Sequence, residues 1–271
     1  MHQGLRSVSV PRRCAPWRGP RFGLTTGWVP IAEGSFVGHT TPGSIMLKVN
    51  PHADYPPEDG RYLRGNDFSP AALAVILHCD ADKIPRDLEG LVRAGLESGA
   101  ALSGTVQTEN IGFEKMICNL AANPNIRYLI LAGPESAGHL TGLALKALML
   151  NGVDDKKRIL GADAPHPFLF NIPTELVDRI RRQITLVDLQ FRADPDLIRR
   201  AVWSCYQESP VEFEGYSLFD PGAFPDPPLS GRITWRVTQP WAEPANEEEK
   251  AARDRAREML DRIKKRLKPE G

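Results

Sequence analysis

The chain has no apolar run approaching the roughly 18 residues that a membrane-spanning helix needs, so no membrane span is expected. It has no excess charge of either sign. The formal net charge is +0 and the pI is about 7.0, which argues against nucleic acid or a membrane surface as its partner. It has no C-x-x-C pair. The four cysteines, Cys14, Cys79, Cys118 and Cys205, are scattered, which excludes a zinc knuckle and a thioredoxin motif. Cys79 and Cys118 sit in apolar settings and read as small core residues of a reducing compartment. Three phosphate- and acyl-chemistry signatures are also missing: G-x-G-x-x-G after the first strand, G-x-x-x-x-G-K-[ST], and G-x-S-x-G. An ordinary dinucleotide enzyme, a P-loop NTPase and an α/β-hydrolase are disfavoured.

What is present is a long α/β alternation. Its 271 residues are enough for one sizeable α/β domain with additions. Residues 1–55 read as an irregular extension rich in Arg, Gly and Pro, with one short strand near Ile45–Val49. The first 32 residues carry five arginines and no acid. That loosely resembles a transit peptide, but no apolar segment follows Arg12-Arg13, so a cytoplasmic protein is expected. Two weakly similar pieces, Gly34-Ser35-Phe36-Val37-Gly38 and Gly60-Arg61-Tyr62-Leu63-Arg64-Gly65, are too short to establish a repeat. Ala71–Cys79 is a continuous apolar run, as in a strand buried on both faces, and His78 within it reads as a tolerated strand residue. A helix is expected over 86–98, a strand over Ala100–Val106, and a helix carrying Phe113, Met116, Ile117 and Leu120 on one stripe. Further strands are expected at Ile126–Ala132, Arg158–Ala162 and Ile184–Leu189. Pro173 and Asp194-Pro195 mark two more helix starts. This pattern predicts a doubly wound, mostly parallel sheet with helices on both faces. It spans residues 56–212. A proline-rich segment with a short strand at Ile233–Val237 follows over 213–245. A charged helix over 246–271 ends the chain, its acids first and its bases last.

The stretch from Asn125 to Gly152 reads as strand, loop and helix, and His139 is the histidine set in that loop. In open parallel sheets ligands bind on such loops at the carboxyl ends of strands. Gly133, Gly138 and Gly142 let the backbone turn and approach a large planar ligand. A histidine near a helix start also serves simply to meet free backbone groups or solvent. Thr108-Glu109-Asn110 precedes the next helix upstream and reads either as its cap or as a polar loop on the same sheet edge as His139. His166, between Pro165 and Pro167, is a second metal or base candidate, with a solvent-exposed loop histidine as the alternative.

The run from Gly104 to Pro173 resembles the A-subunit family of tetrahydromethanopterin S-methyltransferase. The segments that carry the resemblance are TENIGFEKMICNLAANPNIRYLILAG, ESAGHLTG, ALMLNGVDDKKRILGA and NIP, in the family's order and spacing. Weaker similarity extends it to about residues 57–212. The resemblance implies a Rossmann-like domain binding a cobamide (a cobalamin-type corrinoid), with His139 as lower axial ligand to cobalt. It implies a methyl group carried between a methyl-tetrahydropterin, of the tetrahydromethanopterin or tetrahydrofolate type, and a thiol such as coenzyme M, with partner methyltransferase subunits. The difficult chemistry belongs to the cofactor, and His139 ligation is expected to depend on the oxidation state of cobalt. Corrin contacts are expected first from Gly138, Thr141 and Gly142, then from Thr108, Glu109 and Asn110. The chain departs from the family in its N-terminal extension and its charged C-terminal helix. Many corrinoid proteins also carry D-x-H-x-x-G, whereas position 137 here is Ala. Glu135 or a backbone carbonyl is expected to orient His139 instead. Two further readings stay open: a corrinoid-binding or interaction module without catalysis of its own, and a methyl carrier for another donor such as a methylamine or methyl ether.

Overall fold

Six consecutive fully buried residues form each of the two middle strands, which only a sheet covered on both faces can bury. The computed structural model of the protein describes residues 47–78 and 84–233, together with Glu247, Lys250, Ala251, Asp254 and Arg255. The elements in chain order are β1 (Tyr62–Arg64), β2 (Ala71–Ile76), α1 (Arg86–Glu97), β3 (Leu102–Val106), α2 (Ile111–Ala121), β4 (Tyr128–Gly133), α3 (Thr141–Asn151), α4 (Thr174–Gln183), β5 (Thr185–Gln190), α5 (Pro195–Ser204), β6 (Val211–Phe213) and β7 (Tyr216–Leu218). The main sheet has the order β1-β3-β2-β4-β5. All its pairs are parallel except β1 with β3. The doubly wound α/β architecture expected from the alternation is the one observed.

Side-chain alternation divides the core. Ala72, Ala74 and Ile76 face α2, α3 and α4, where Phe113, Ile117, Leu145 and Ile180 are buried. Ala71, Leu73 and Val75 face α1 and α5, with Leu88, Leu91, Ile198 and Val202. The helix after β2 therefore lies on one face and the helix after β4 on the other. These adjacent strands mark the reversal of strand order, where doubly wound sheets open a crevice at their carboxyl ends. Gly133, the last residue of β4, has φ +88, and a Cβ there would lie 3.1 Å from the Ile76 carbonyl oxygen. Glycine thus allows β4 to end against β2.

Helix starts follow the sequence signals. Asp194 caps α5 by accepting from the Asp196 N–H, with Pro195 in the first turn. Pro173 stands at the N-cap of α4. One expectation is corrected. Arg158–Ala162 is not a strand; Val153 bridges Ile159 and Arg158 bridges Phe168 as isolated pairs outside the main sheet. Gly161, at φ +76, turns the chain there. Leu47–Val49 is irregular, while the rest of the strand expected near Ile45 lies outside the described residues. So do Cys14, Cys79 and most of the strand expected at Ile233–Val237. The five described residues beyond 246 are helical and belong to a separate unit, Thr234–Gly271.

The proline-rich segment through Ile233 is held by backbone and side-chain bonds. The Phe224 and Leu229 N–H groups donate to the Pro124 and Ala121 carbonyls. Arg179, buried in α4, bonds the Asp226 and Pro227 carbonyls and lies 4.4 Å from the Phe224 ring centroid. The β6–β7 hairpin reaches the outer strand: the Asp188 N–H of β5 donates to the Tyr216 hydroxyl at 2.9 Å.

A second polar anchor lies inside α2. Both oxygens of the buried Glu114 accept from Asn171, from its N–H at 2.7 Å and its side-chain amide at 2.8 Å. Burial raises the Glu114 carboxyl above its ordinary range, against the lowering effect of these bonds. A carboxyl raised in the folded state contributes stability at low pH that is lost as pH rises through its folded value. Glu114→Gln is therefore expected to flatten the decline in stability just above the usual carboxylate range. Urea unfolding at a series of pH values checks this; an unchanged pH profile would contradict it.

Candidate functional site

The loop from Pro134 to Leu140 is built to lift one side chain. Leu140 has φ 48 and ψ 42, a left-handed conformation at the N-cap of α3. For a branched, non-glycine residue this costs about 1 kcal/mol or more. Packing of the Leu140 side chain against the core holds it there. His139 precedes it on the tight turn in which the His139 and Leu140 N–H groups both donate to the Ser136 carbonyl, at 3.2 and 3.0 Å. Gly138 has φ +84, and among the described residues no atom beyond its chain neighbours lies within 4 Å of where its Cβ would stand. The surface beside His139 is open at this point.

Behind the ring sits a carboxylate from a different loop. Glu109, between β3 and α2, has a side chain 0% exposed, against 38% for His139. Its Oε2 lies 2.8 Å from His139 Nδ1. Its Oε1 accepts from the His166 backbone N–H at 2.9 Å. As an acceptor the carboxylate places the imidazole proton on Nδ1, which leaves the Nε2 lone pair for a metal. One buried acid therefore orients His139 and ties down the loop that carries His166. Glu109 takes the place expected for Glu135 or a backbone carbonyl.

The matching family model, the A-subunit of tetrahydromethanopterin S-methyltransferase, covers residues 48–219 and so includes every element of this site. The chain belongs to this family. It is 42% identical over 171 residues to tetrahydromethanopterin S-methyltransferase A-subunit 1 of Methanothermobacter marburgensis, covering 63% of this chain and 67% of that one. It is 40% identical over 175 residues to A-subunit 2 of Methanobrevibacter ruminantium, covering 64% and 85%. The A-subunit 2 of Methanothermobacter thermautotrophicus is 36% identical over 188 residues, covering 68% and 90%. The chain is a member of a methyltransferase family.

The other site candidates of this A-subunit homologue divide by role. Glu135 binds the start of α3. Its Oε1 accepts from the Ser136 and Gly142 N–H groups at 2.9 and 2.8 Å. Its Oε2 accepts from the Leu143 N–H at 3.0 Å and from Gln190 Nε2 at 2.9 Å. An anion at a helix N-terminus satisfies free N–H groups and meets the positive end of the dipole. At Gly142 an added Cβ would fall 2.0 Å from Gln190 Nε2, so glycine is needed there for the Gln190–Glu135 contact. Thr141 is fully buried. Its hydroxyl donates to the Gln107 carbonyl at 2.6 Å and lies 2.6 Å from the Ser136 hydroxyl, which fastens the His139 loop to the Glu109 loop. Thr108 accepts from the Gly112 N–H at 3.0 Å, and Asn110 from the Ile111 N–H at 2.7 Å; both serve the start of α2. The exposed His166 enters through its backbone.

The roles of Gln190, Ser136 and Glu114 were missed in the sequence. None of the three stands out there: Glu114 sits beside Lys115 on a helix that also carries Asn119. Burial pushes the thiols of Cys118 and Cys205 up to about 12, so neither serves as a thiolate near neutral pH. Among the described residues no helix is long and apolar enough to cross a membrane. No group of three His, Cys, Asp or Glu side chains among them could hold a metal ion.

Proposed function

We propose that this chain binds a cobamide through His139 and carries a methyl group between a methyl-tetrahydropterin and a thiol such as coenzyme M. The observation that carries the reading is the His139–Glu109 pair. An imidazole on a strand-end loop has its Nδ1 engaged by a buried carboxylate, which leaves its Nε2 for a ligand. That donor set suits cobalt, since neutral imidazole binds first-row metals and an acid on the other nitrogen fixes the tautomer and the ring orientation. A metal held by one protein donor must arrive with most of its positions already filled, as in a corrin. The relatives are tetrahydromethanopterin S-methyltransferase subunits, which supports a tetrahydropterin donor, transfer to sulfur and partner subunits.

A bound cobamide would supply the cobalt that carries the methyl group. The chain supplies the rest. His139 would hold the cobalt through Nε2. Glu109 would hold the proton on Nδ1 and fix the ring plane. Gly138 leaves room for a planar group to approach the loop, and the Thr141–Gln107 and Glu135–Gln190 contacts keep that loop in place. Thr108, Asn110 and Gly142 would act through loop geometry, by the contacts they make within the chain.

Reconstitution with hydroxocobalamin followed by gel filtration and an absorption spectrum tests the reading, with His139→Ala beside the wild type. Stoichiometric retention with a spectrum that changes in the variant is the expected result. An identical spectrum in both proteins would remove His139 as ligand. Methyl-tetrahydromethanopterin, methyl-tetrahydrofolate and a methylamine, each offered to the loaded protein, then separate the donors.

A further inference from the structure

His78 stands at the carboxyl end of β2, and its Nδ1 is buried with no hydrogen-bond partner among the described residues. A buried polar atom left unpaired costs about 1–3 kcal/mol. An apolar residue would continue the preceding run, Ala71–Leu77, without that cost. The position suits folding poorly, and the reason for it is to be sought at the sheet edge.

That edge is the one already described. The Leu77 N–H still donates to the Val106 carbonyl at 2.9 Å, so the chain keeps its strand course past β2. Ile76 belongs to the face shared with α2 and α3, and Leu77 to the opposite face. Alternation therefore returns His78 to the α2 and α3 face. β3 and β4 flank β2. The loops that bear Glu109 and His139 thus rise on either side of the β2 end and meet through their 2.8 Å bond. His78 lies at the same edge and on the same face, at the crevice where strand order reverses.

We propose that His78 is a second point of contact for the group held at His139, its ring turning on binding so that the Nδ1 buried in the free protein hydrogen-bonds a polar arm of a cobamide. The inference rests on the cobamide reading above. A neutral imidazole nitrogen either donates or accepts. It can meet a side-chain amide of the corrin rim or, as donor, the phosphodiester of the nucleotide loop. The contact pairs the atom that folding leaves unpaired, so stability given up in the free protein returns as affinity in the loaded one.

The test compares wild type, His78→Leu and His78→Asn by thermal unfolding without ligand and by absorption titration with hydroxocobalamin and with aquocobinamide. Aquocobinamide keeps the rim amides and lacks the nucleotide phosphate. Ligand-free His78→Leu is expected to unfold at a higher temperature than wild type and to bind hydroxocobalamin about tenfold more weakly. His78→Asn, which places a polar atom near the position of Nδ1, is expected to recover most of that affinity. Equal weakening toward both corrinoids assigns the contact to an amide, and weakening toward hydroxocobalamin alone assigns it to the phosphate. Unchanged dissociation constants in His78→Leu would overturn the proposal, and a lowered unfolding temperature with them would make His78 a packing residue. If wild type itself retains neither corrinoid, the cobamide reading fails and takes this contact with it.

Discussion

Glu109→Gln is expected to weaken binding of a cobalt corrinoid about 10- to 100-fold, the usual effect of losing the partner that orients a ligating histidine, while the fold persists. The two contacts of Glu109 explain why so conservative a change is so costly. Both carboxylate oxygens accept, one from the His166 N–H and one from His139 Nδ1. A carboxamide has only one accepting oxygen. If that oxygen keeps the His166 N–H, the amide NH2 faces Nδ1 and moves the imidazole proton to Nε2, where it blocks the metal. If the amide turns over, NH2 faces the His166 N–H and the third loop comes free. Either way the site loses what the acid provides. Absorption titration with hydroxocobalamin measures the effect, with far-UV circular dichroism as the check on folding. An affinity within twofold of wild type would show that His139 is oriented by something else.

Glu135→Ala is expected to show the opposite profile, a loss of about 2–3 kcal/mol in stability through a lost helix cap and charge-assisted bonds. For a domain of this size that lowers the unfolding midpoint by roughly 5–10 °C. Four donors converge on this carboxylate, three of them backbone N–H groups at the start of the loop and of α3. Partial exposure and salt moderate the charge contribution, but N–H groups at a helix start still lose their partner. The measurement is thermal unfolding of the ligand-free protein beside wild type. A Glu135→Ala midpoint within about 1 °C of wild type would sink this account. The two glutamates, 26 positions apart in sequence, would then not divide into an orienting acid and a capping acid.

That division could not be read in the sequence, and the reason is geometric. Strands β2 and β4 were legible because their apolar runs leave no polar face, and α5 because Asp194-Pro195 is a local signal complete within three residues. His139 was legible from its position on a strand-end loop. Its pairing with Glu109 depends instead on strand order: β3 and β4 flank β2, which no local spacing encodes. Glu135, nearer in sequence, looked the better partner for His139 until the helix start claimed it. The misread segment Arg158–Ala162 shows the same limit. Its Ile159 is fully buried, as a strand residue would be. Yet the segment pairs only through isolated bridges, because Gly161 turns it before a ladder can grow.

The small hairpin beside β5 has a wider consequence. An outermost strand normally offers a row of unpaired backbone groups to any other chain. In β5 the Asp188 N–H is taken by the Tyr216 hydroxyl and the Gln190 N–H by the Asp188 carboxylate. At the opposite border β1 is three residues long and ends in the charged Arg64. Neither border is a good template for annealing a foreign strand. Any larger assembly that includes this domain is therefore expected to be joined through side-chain surfaces rather than by extending the sheet from one molecule into the next.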